Sequence, residues 1–355
     1  MAFTTIDDPS EYFHTRLYSG NNSGSGLAVT NDANSGNFQP DWVWIKRRDS
    51  SGSHGLHDSN RGSTKRLKSD STEAEDTNSN ILASFDSNGF TIGDNSGNYN
   101  ASGTYVAWQW KANGGTTSSN SNGSITSTVQ ANTTAGFSIV TYTGDQGTGS
   151  TVGHGLGVTP KVVIVKPRNG TTAYGWRIYT EMTGNTNYLL LNATDASYAF
   201  TDWNNTSPTS SVFTVNSSSP QTVNESGTNY IAYCFAEIQG YSKFGSYTAS
   251  GNADGPFIYT GFKPAFVIFK RTDGGTSAWQ MHDRTRETVN DGSSPALKPN
   301  QTDTEFSKNV DFLSNGIKIR DTSSDLNGSS GQTYIYLAFA EHPFVSSKGV
   351  PVTAR

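Results

Sequence analysis

The chain has 355 residues, 33% of them hydrophobic, 12% aromatic and 15% charged, with 37 glycines and a formal net charge of -5. That balance argues against a nucleic-acid binder, which needs a basic face to displace counterions from phosphate, and no apolar run approaches the roughly 20 residues of a membrane-spanning helix. The 7 Trp, 16 Tyr and 18 Phe supply large buried areas at few positions, so the low hydrophobic fraction does not signal disorder. A chain this rich in aromatics, Ser, Thr, Asn and Gly, and this poor in helix formers, is expected to be all-β.

Met1–Asp8 lacks the basic start and apolar core of a secretion signal, and the single cysteine, Cys234, fits a reducing compartment. The first strand signals then come in a fixed order. Tyr18-Ser19-Gly20 leads to a proline-to-lysine run, Pro40-Asp41-Trp42-Val43-Trp44-Ile45-Lys46, then to Leu67–Thr72, to the alternating Gly89–Ile92 and to Tyr105-Val106-Ala107-Trp108. A stretch dominated by Gly, Ser, Thr and Asn follows, from Ala112 to Gly123, a linker by composition.

The order then repeats twice. The second copy runs Tyr142-Thr143-Gly144, Pro160–Lys166, Leu189–Thr194, Val212–Val215 and Tyr230–Tyr233, and the third Tyr259-Thr260-Gly261, Pro264–Lys270, Leu297–Thr302, Gly316–Ile319 and Tyr334–Leu337. Tyr259 sits much closer to its proline than the first two opening tyrosines, which leaves its equivalence open. A period of roughly 100 residues is a small domain, not a solenoid turn. The near-continuous apolar character of the proline-to-lysine runs predicts strands buried on both faces. The expectation is therefore three tandem β-sandwich (jelly-roll-like) domains of about 100 residues: 1–111, 136–238 and 239–355, with 112–135 as linker. The long first spacer and short second one predict that units two and three pack as a pair.

Few constellations carry chemistry. His57-Asp58-Ser59-Asn60-Arg61 recurs as His282-Asp283-Arg284-Thr285-Arg286, and His-Asp-x-x-Arg has the composition of an acid/base pair beside an anion-binding arginine. The second copy has Tyr179-Thr180-Glu181-Met182-Thr183 there, so the fold does without the set. Asp58–Arg61 and Asp283–Arg286 therefore read as structural ion pairs pinning turns. His54 and His57 lack the further ligands zinc needs, and Asp70, Glu73, Glu75 and Asp76 lack the order of a calcium loop. No nucleophile elbow or phosphate loop occurs in strand–helix context, and no carboxylate pair for glycoside cleavage is indicated. Neither a catalytic residue nor a cofactor is expected. Aromatic faces beside amides suit sugar rings; Trp203 with Asn204 is the candidate glycan contact, whereas Trp44 and Trp108 sit in the best strands and are expected in the core.

Trp42–Lys46, His57–Gly62, Ser84–Phe90, Tyr105–Trp108, Gly153-His154-Gly155-Leu156-Gly157 and Tyr233–Glu237 together resemble a family of tailed-phage virion structural proteins common in marine cyanophages, usually called tail-fibre proteins. The resemblance spans most of residues 12–344. It implies a component of the virion exterior, synthesised in the bacterial cytoplasm. Its partners would be other virion proteins, with homotrimer assembly typical of fibres, and host surface polysaccharide. The family brings no catalytic residues. A receptor-contacting tail fibre, with linked weak sites adding avidity, is the first reading; a capsid decoration protein without ligand is the second.

Overall fold

The computed structural model describes residues 3–32, 37–93, 99–169, 174–217, 222–287 and 289–352. Among these residues the chain is all-β apart from one 3-10 turn, Pro9–Glu11, capped by the Asp8 carboxylate. In each repeat four strands form an antiparallel inner sheet in the order first, last, second, third. Repeat one uses Phe13–Gly20, Trp42–Arg47, Gly55–Asp58 and Gly103–Trp110, and repeat two uses Phe137–Thr143, Val162–Pro167, Arg177–Thr180 and Asn229–Phe235. Repeat three uses Ser242–Thr248, Phe262–Arg271, Gln280–Asp283 and Thr333–Pro343. A smaller outer sheet packs on each: Leu27–Thr30, Gly89–Ile92 and Leu82–Asp86; Ser150–Gly153 and Val212–Val215; Phe257–Tyr259, Gly316–Ile319 and Val310–Leu313. Each repeat is thus a two-sheet β-sandwich.

The period-two alternation of a strand divides the inner-sheet side chains between two cores. Val43, Ile45, Tyr105 and Ala107 face repeat one's outer sheet and meet Val29, Phe90 and Ile92. Repeats two and three build matching private cores around Val163, Val165 and Phe213, and around Val267, Phe269 and Ile317. The intervening residues point the other way. Trp42, Trp44, Trp108 and Trp110 join Val162, Ile164, Tyr233 and Phe235 of repeat two and Phe266, Ile268, Leu337 and Phe339 of repeat three in one apolar cluster. The three inner sheets therefore close on a common centre.

This corrects the expected domain layout. The strands are buried on both faces, as anticipated, but the second face is buried by the other repeats, so the repeats are not independent tandem domains and units two and three are not a separate pair. Phe339 illustrates the sharing, with rings of Phe13, Trp110, Phe235, Tyr241, Phe244 and Phe266 at centroid distances from 5.6 to 6.3 Å.

The 112–135 segment is also not a linker. Ser118–Asn120 and Ser127–Asn132 are strands that extend the inner sheet of repeat two beyond Phe137–Thr143. Ile125 and Val129 enter that repeat's private core, and the Asp41 carboxylate accepts from the backbone N–H groups of Ala112, Gly114 and Gly115 at 2.7, 2.9 and 2.7 Å. Two apolar anchors and one carboxylate order a segment whose composition reads as coil.

The opening tyrosine of repeat three is Tyr247, not Tyr259. Tyr18, Tyr142 and Tyr247 stack on Tyr105, Tyr230 and Tyr334 at 5.0, 5.0 and 5.2 Å, and donate to the carbonyls of Tyr99, Val223 and Leu326. Tyr259 lies in the outer sheet and is 55% exposed.

A shared centre makes unfolding of the three repeats one event. Phe339→Ala should cost about 3–5 kcal/mol, and fluorescence and far-UV circular dichroism should report one coincident urea transition. Resolved transitions for separate repeats would contradict the shared core.

Candidate functional site at the joints between repeats

The residues most alike among the repeats meet where one repeat touches the next. The lysine ending each proline-to-lysine strand is buried and donates through Nζ to two backbone carbonyls. Lys46 reaches Arg47 at 2.8 Å and Thr302 of repeat three at 3.3 Å. Lys166 reaches Tyr174 at 2.7 Å and Thr72 of repeat one at 3.0 Å. Lys270 reaches Ser277 at 2.5 Å and Thr194 of repeat two at 2.8 Å. Thr72, Thr194 and Thr302 end equivalent Leu-centred segments, so one bond recurs three times and closes a ring. Burial pushes each lysine down to about 8.

A second ring runs beside the first. Trp176 Nε1 donates to the Lys68 carbonyl and Trp279 Nε1 to the Leu190 carbonyl, both at 2.8 Å. Repeat one has His54 at this position. Its Nδ1 lies 2.9 Å from the Trp44 indole N–H and its Nε2 lies 3.0 Å from the Lys298 carbonyl, an arrangement satisfied by the neutral ring with the proton on Nε2. Burial first, then the Lys46 charge, holds this histidine well below its ordinary value.

The third ring is charged at only two of its three positions. Arg168 grips Glu75 at 2.9 and 3.0 Å, and Arg48 grips Glu305 at 2.8 and 2.9 Å. Each glutamate also takes an arginine of its own repeat, Arg61 or Arg286. Burial opposes ionisation of Glu75 and Glu305, but the arginines outweigh it and both are held below the usual carboxylate range. At the remaining joint Ser197 replaces the glutamate and its N–H and hydroxyl bond the Thr272 carbonyl.

His-Asp-x-x-Arg belongs to this machinery. Asp58 accepts the Arg61 backbone N–H at 2.9 Å and pairs with its guanidinium, and the Tyr233 hydroxyl of repeat two donates to the same carboxylate at 2.7 Å. Asp283 treats Arg286 likewise, with the Trp108 indole N–H of repeat one at 3.0 Å as the visitor. Both Asp–Arg side-chain pairs are 0% exposed. His57 and His282 are equally buried and pack edge-on against Tyr99 and Phe269. Burial, then the neighbouring arginine, pushes each imidazole down to about 3. A general base needs contact with substrate and a pKa near the working pH; these rings have neither.

Trp203 is corrected as a sugar platform. It is 2% exposed, its indole N–H donates to the Asn187 carbonyl at 3.0 Å, and its ring meets Tyr179 edge-on. Asn204 is half-buried, at φ 49° in the turn that follows. The indole has one donor and a large apolar body, and polar neighbours in sequence did not reveal that a carbonyl sixteen residues upstream would satisfy it. The acidic run is dispersed: Asp70 accepts the His54 N–H, Glu73 pairs with Lys68 and Asp76 with Arg66. Among the described residues no cluster of His, Cys, Asp or Glu could hold a metal ion. Cys234 is buried, with its thiol pushed up to about 12.

What sequence reading missed is the role of the three lysines, although each stands at the end of the strongest repeated signal. Their acceptors are backbone carbonyls, which leave no mark in residue identity.

Fold and joints together define a three-repeat β-sandwich protein with one shared core. The chain belongs to the family described as a domain of unknown function (DUF7483), whose model matches residues 8–343 and so takes in all three repeats as one block. No curated protein and no solved structure matches it.

Removing one partner from a buried ion pair strands the other. Asp58→Ala should cost about 3–5 kcal/mol in urea denaturation, more than Thr180→Ala at the equivalent uncharged position. Acid should also destabilise the fold. Unfolded histidine takes its proton near pH 6.5, whereas His57 and His282 stay neutral in the fold until about pH 3. Stability should therefore fall as pH drops below about 6.5, by about 1.4 kcal/mol per pH unit for each ring. Urea midpoints measured from pH 7 to 4 check this; a slope unchanged in the His57→Gln/His282→Gln double variant would assign it elsewhere.

Proposed function

We propose that this protein is a structural, non-enzymatic component of the exterior of a tailed-phage particle, serving in the tail-fibre apparatus that contacts the host cell. The observation that carries the reading is the closed ring of joints: the polar side chains that a catalytic site would need, His57, Asp58, Arg61 and their repeat-three counterparts, are spent on holding three sandwiches together. Resemblance to tailed-phage virion proteins supplies the setting. A single chain that arranges three like units about one centre suits a place on a three-fold fibre without three copies. On this reading the homotrimer is internal, and the purified 38.1 kDa chain should run as a monomer in light scattering.

Host contact would fall on exposed aromatics rather than Trp203. Phe257 and Tyr259 are 48% and 55% exposed on an edge strand of repeat three, and aromatic faces suit polysaccharide rings. The burial of Trp203 favours the second reading, a ligand-free decoration of the capsid. Imaging whole particles separates the two: density on tail fibres supports the first, and density at capsid lattice positions overturns it in favour of the second. Purified protein should also bind host cells and lose that binding after surface polysaccharide is stripped, and Tyr259→Ala with Phe257→Ala should weaken it.

A further inference from the structure

The three repeats treat the outer edge of their first strand differently. In repeat two the edge is occupied. Ser127–Asn132 lies antiparallel on Phe137–Thr143, with Asn132 opposite Phe137, Gln130 opposite Ile139 and Thr128 opposite Thr141. Repeat one helps to seat that strand. Asn60 Nδ2 donates to the carbonyls of Thr128 and Ile139 at 3.2 and 3.1 Å, Ser59 Oγ lies 3.1 Å from the Gln130 side chain, and Asn132 Nδ2 reaches the Lys111 carbonyl at 3.4 Å. At repeat three the N-terminal arm reaches the start of the edge: Thr4 would meet any side chain placed at Gly240, and Phe3 lines one surface cleft together with Ser242 and Lys243.

In repeat one Phe13–Gly20 is, among the described residues, the terminal strand of its sheet. Aligning Tyr18 with Tyr142 makes Phe13 the counterpart of Phe137 and Thr15 that of Ile139. Tyr12 O and Asn22 N bond toward the last strand and its approach, so the even residues point inward and Phe13, Thr15 and Leu17 turn their N–H and C=O groups outward. Beside them lies a cleft of about 630 Å³, lined by His14, Thr15, Arg284 and Glu341 among others. Arg284 and Thr285 follow Asp283 as Ser59 and Asn60 follow Asp58. The cleft thus stands where the Ser127–Asn132 strand is seated in repeat two. Thr15 is 5% exposed, and its hydroxyl is buried without a hydrogen-bond partner.

We propose that the Phe13–Gly20 edge and this cleft receive an extended strand of another polypeptide by β-augmentation, in the register of Ser127–Asn132. Main-chain pairing supplies affinity in this mode and alternate side chains supply specificity. The charge of the cleft states the occupant's chemistry. Four carboxylates, Asp7, Asp8, Asp32 and Glu341, line it against one lining arginine, Arg284; Arg16, Lys263 and Lys348 stand outside the lining, beside Asp32, Glu341 and Asp7. In repeat two Asn132 sits on the carbonyl of Lys111, whose counterpart is Ala340, next to Glu341. The strand recognised here carries lysine or arginine at that place. At the place of Gln130 it carries a neutral or acidic side chain, because Arg284 stands where repeat two's strand meets Ser59.

The test uses the full chain and the ten-residue peptide of Ser124–Thr133 bearing Asn132→Lys, with the Asn132→Glu peptide as its comparison. By calorimetry the lysine peptide should bind about tenfold more tightly than the glutamate peptide at low salt, and Glu341→Lys should reverse the preference. Amide hydrogen exchange should slow across Phe13–Gly20 on binding and stay unchanged across Phe137–Thr143. No saturable binding of either peptide, or binding that leaves exchange of Phe13–Gly20 unaltered, would overturn the proposal.

Discussion

Burying both faces of every inner sheet is the constraint from which the rest of this structure follows. A chain with only 33% hydrophobic residues cannot fill three separate cores generously, and a sheet of about four strands with one covered face leaves its other face in water. Here each inner strand contributes alternate side chains to a private core and to the common one. The apolar residues are concentrated in few strands and nearly all are used. The bulkiest, Trp42, Trp108, Trp110, Trp176 and Trp279, fall on the common side and are almost fully buried, where three converging sheets leave more space than a pair does. Aromatic rings fill such space with few ordered rotamers.

Convergence has a cost at the rim of the centre, where strand ends and turns from different repeats meet and backbone carbonyls lose water. An unpaired buried carbonyl is expensive. The lysine, Trp/His and Arg–Glu rings answer that need by sending donors from one repeat to the carbonyls or carboxylates of the next. The lysines serve through long flexible stems that bury their methylenes while the ammonium finds two acceptors. The buried Asp–Arg pairs sit at two joints only, with Thr180 at the third position. Such pairs are a weak source of net stability, since desolvation offsets their attraction, and the uncharged joint achieves closure without them. Their effect is on register: a buried aspartate bonded to its own arginine and to one hydroxyl or indole of the neighbour tolerates no sliding of repeat against repeat.

How much of this was legible follows from the range of the interactions. All-β class, repeat number and the main strands stand in the sequence because alternation and turn chemistry are local. Burial on both faces was legible too, in Trp42–Lys46 and its copies, but not the identity of the second covering surface. That depends on contacts 256 and 175 residues apart in sequence, Lys46 with Thr302 and Trp108 with Asp283. Composition misled twice for one reason. Residues 112–135 look like coil, yet Ile125, Val129 and the Asp41 carboxylate anchor them; Trp203 lies among polar residues, yet its indole finds the Asn187 carbonyl. In both cases one or two specific contacts outweigh the average character of a segment. The Tyr259 misalignment has another origin: Tyr-Thr recurs at Tyr247-Thr248 and Tyr259-Thr260, and only stacking on Tyr334 distinguishes them.

Repetition within one chain frees each copy to diverge where its neighbours do not constrain it. The strands that meet at the centre cannot change independently, because a residue such as Phe339 touches aromatics of all three repeats. The joints allow some freedom, as the replacement of Asp by Thr180 and of Glu by Ser197 shows. The outer edges allow most. One first-strand edge is covered by a strand pair supplied from within the chain, one is met by the N-terminal arm, and one borders an acidic cleft. An open sheet edge is a hazard that is usually blocked, and on repeat two Ser127–Asn132 blocks it. That the same fold unit carries a blocking strand on one edge and borders a cleft on another makes the edges, rather than the His-Asp-x-x-Arg of repeats one and three, the surfaces on which the copies differ most.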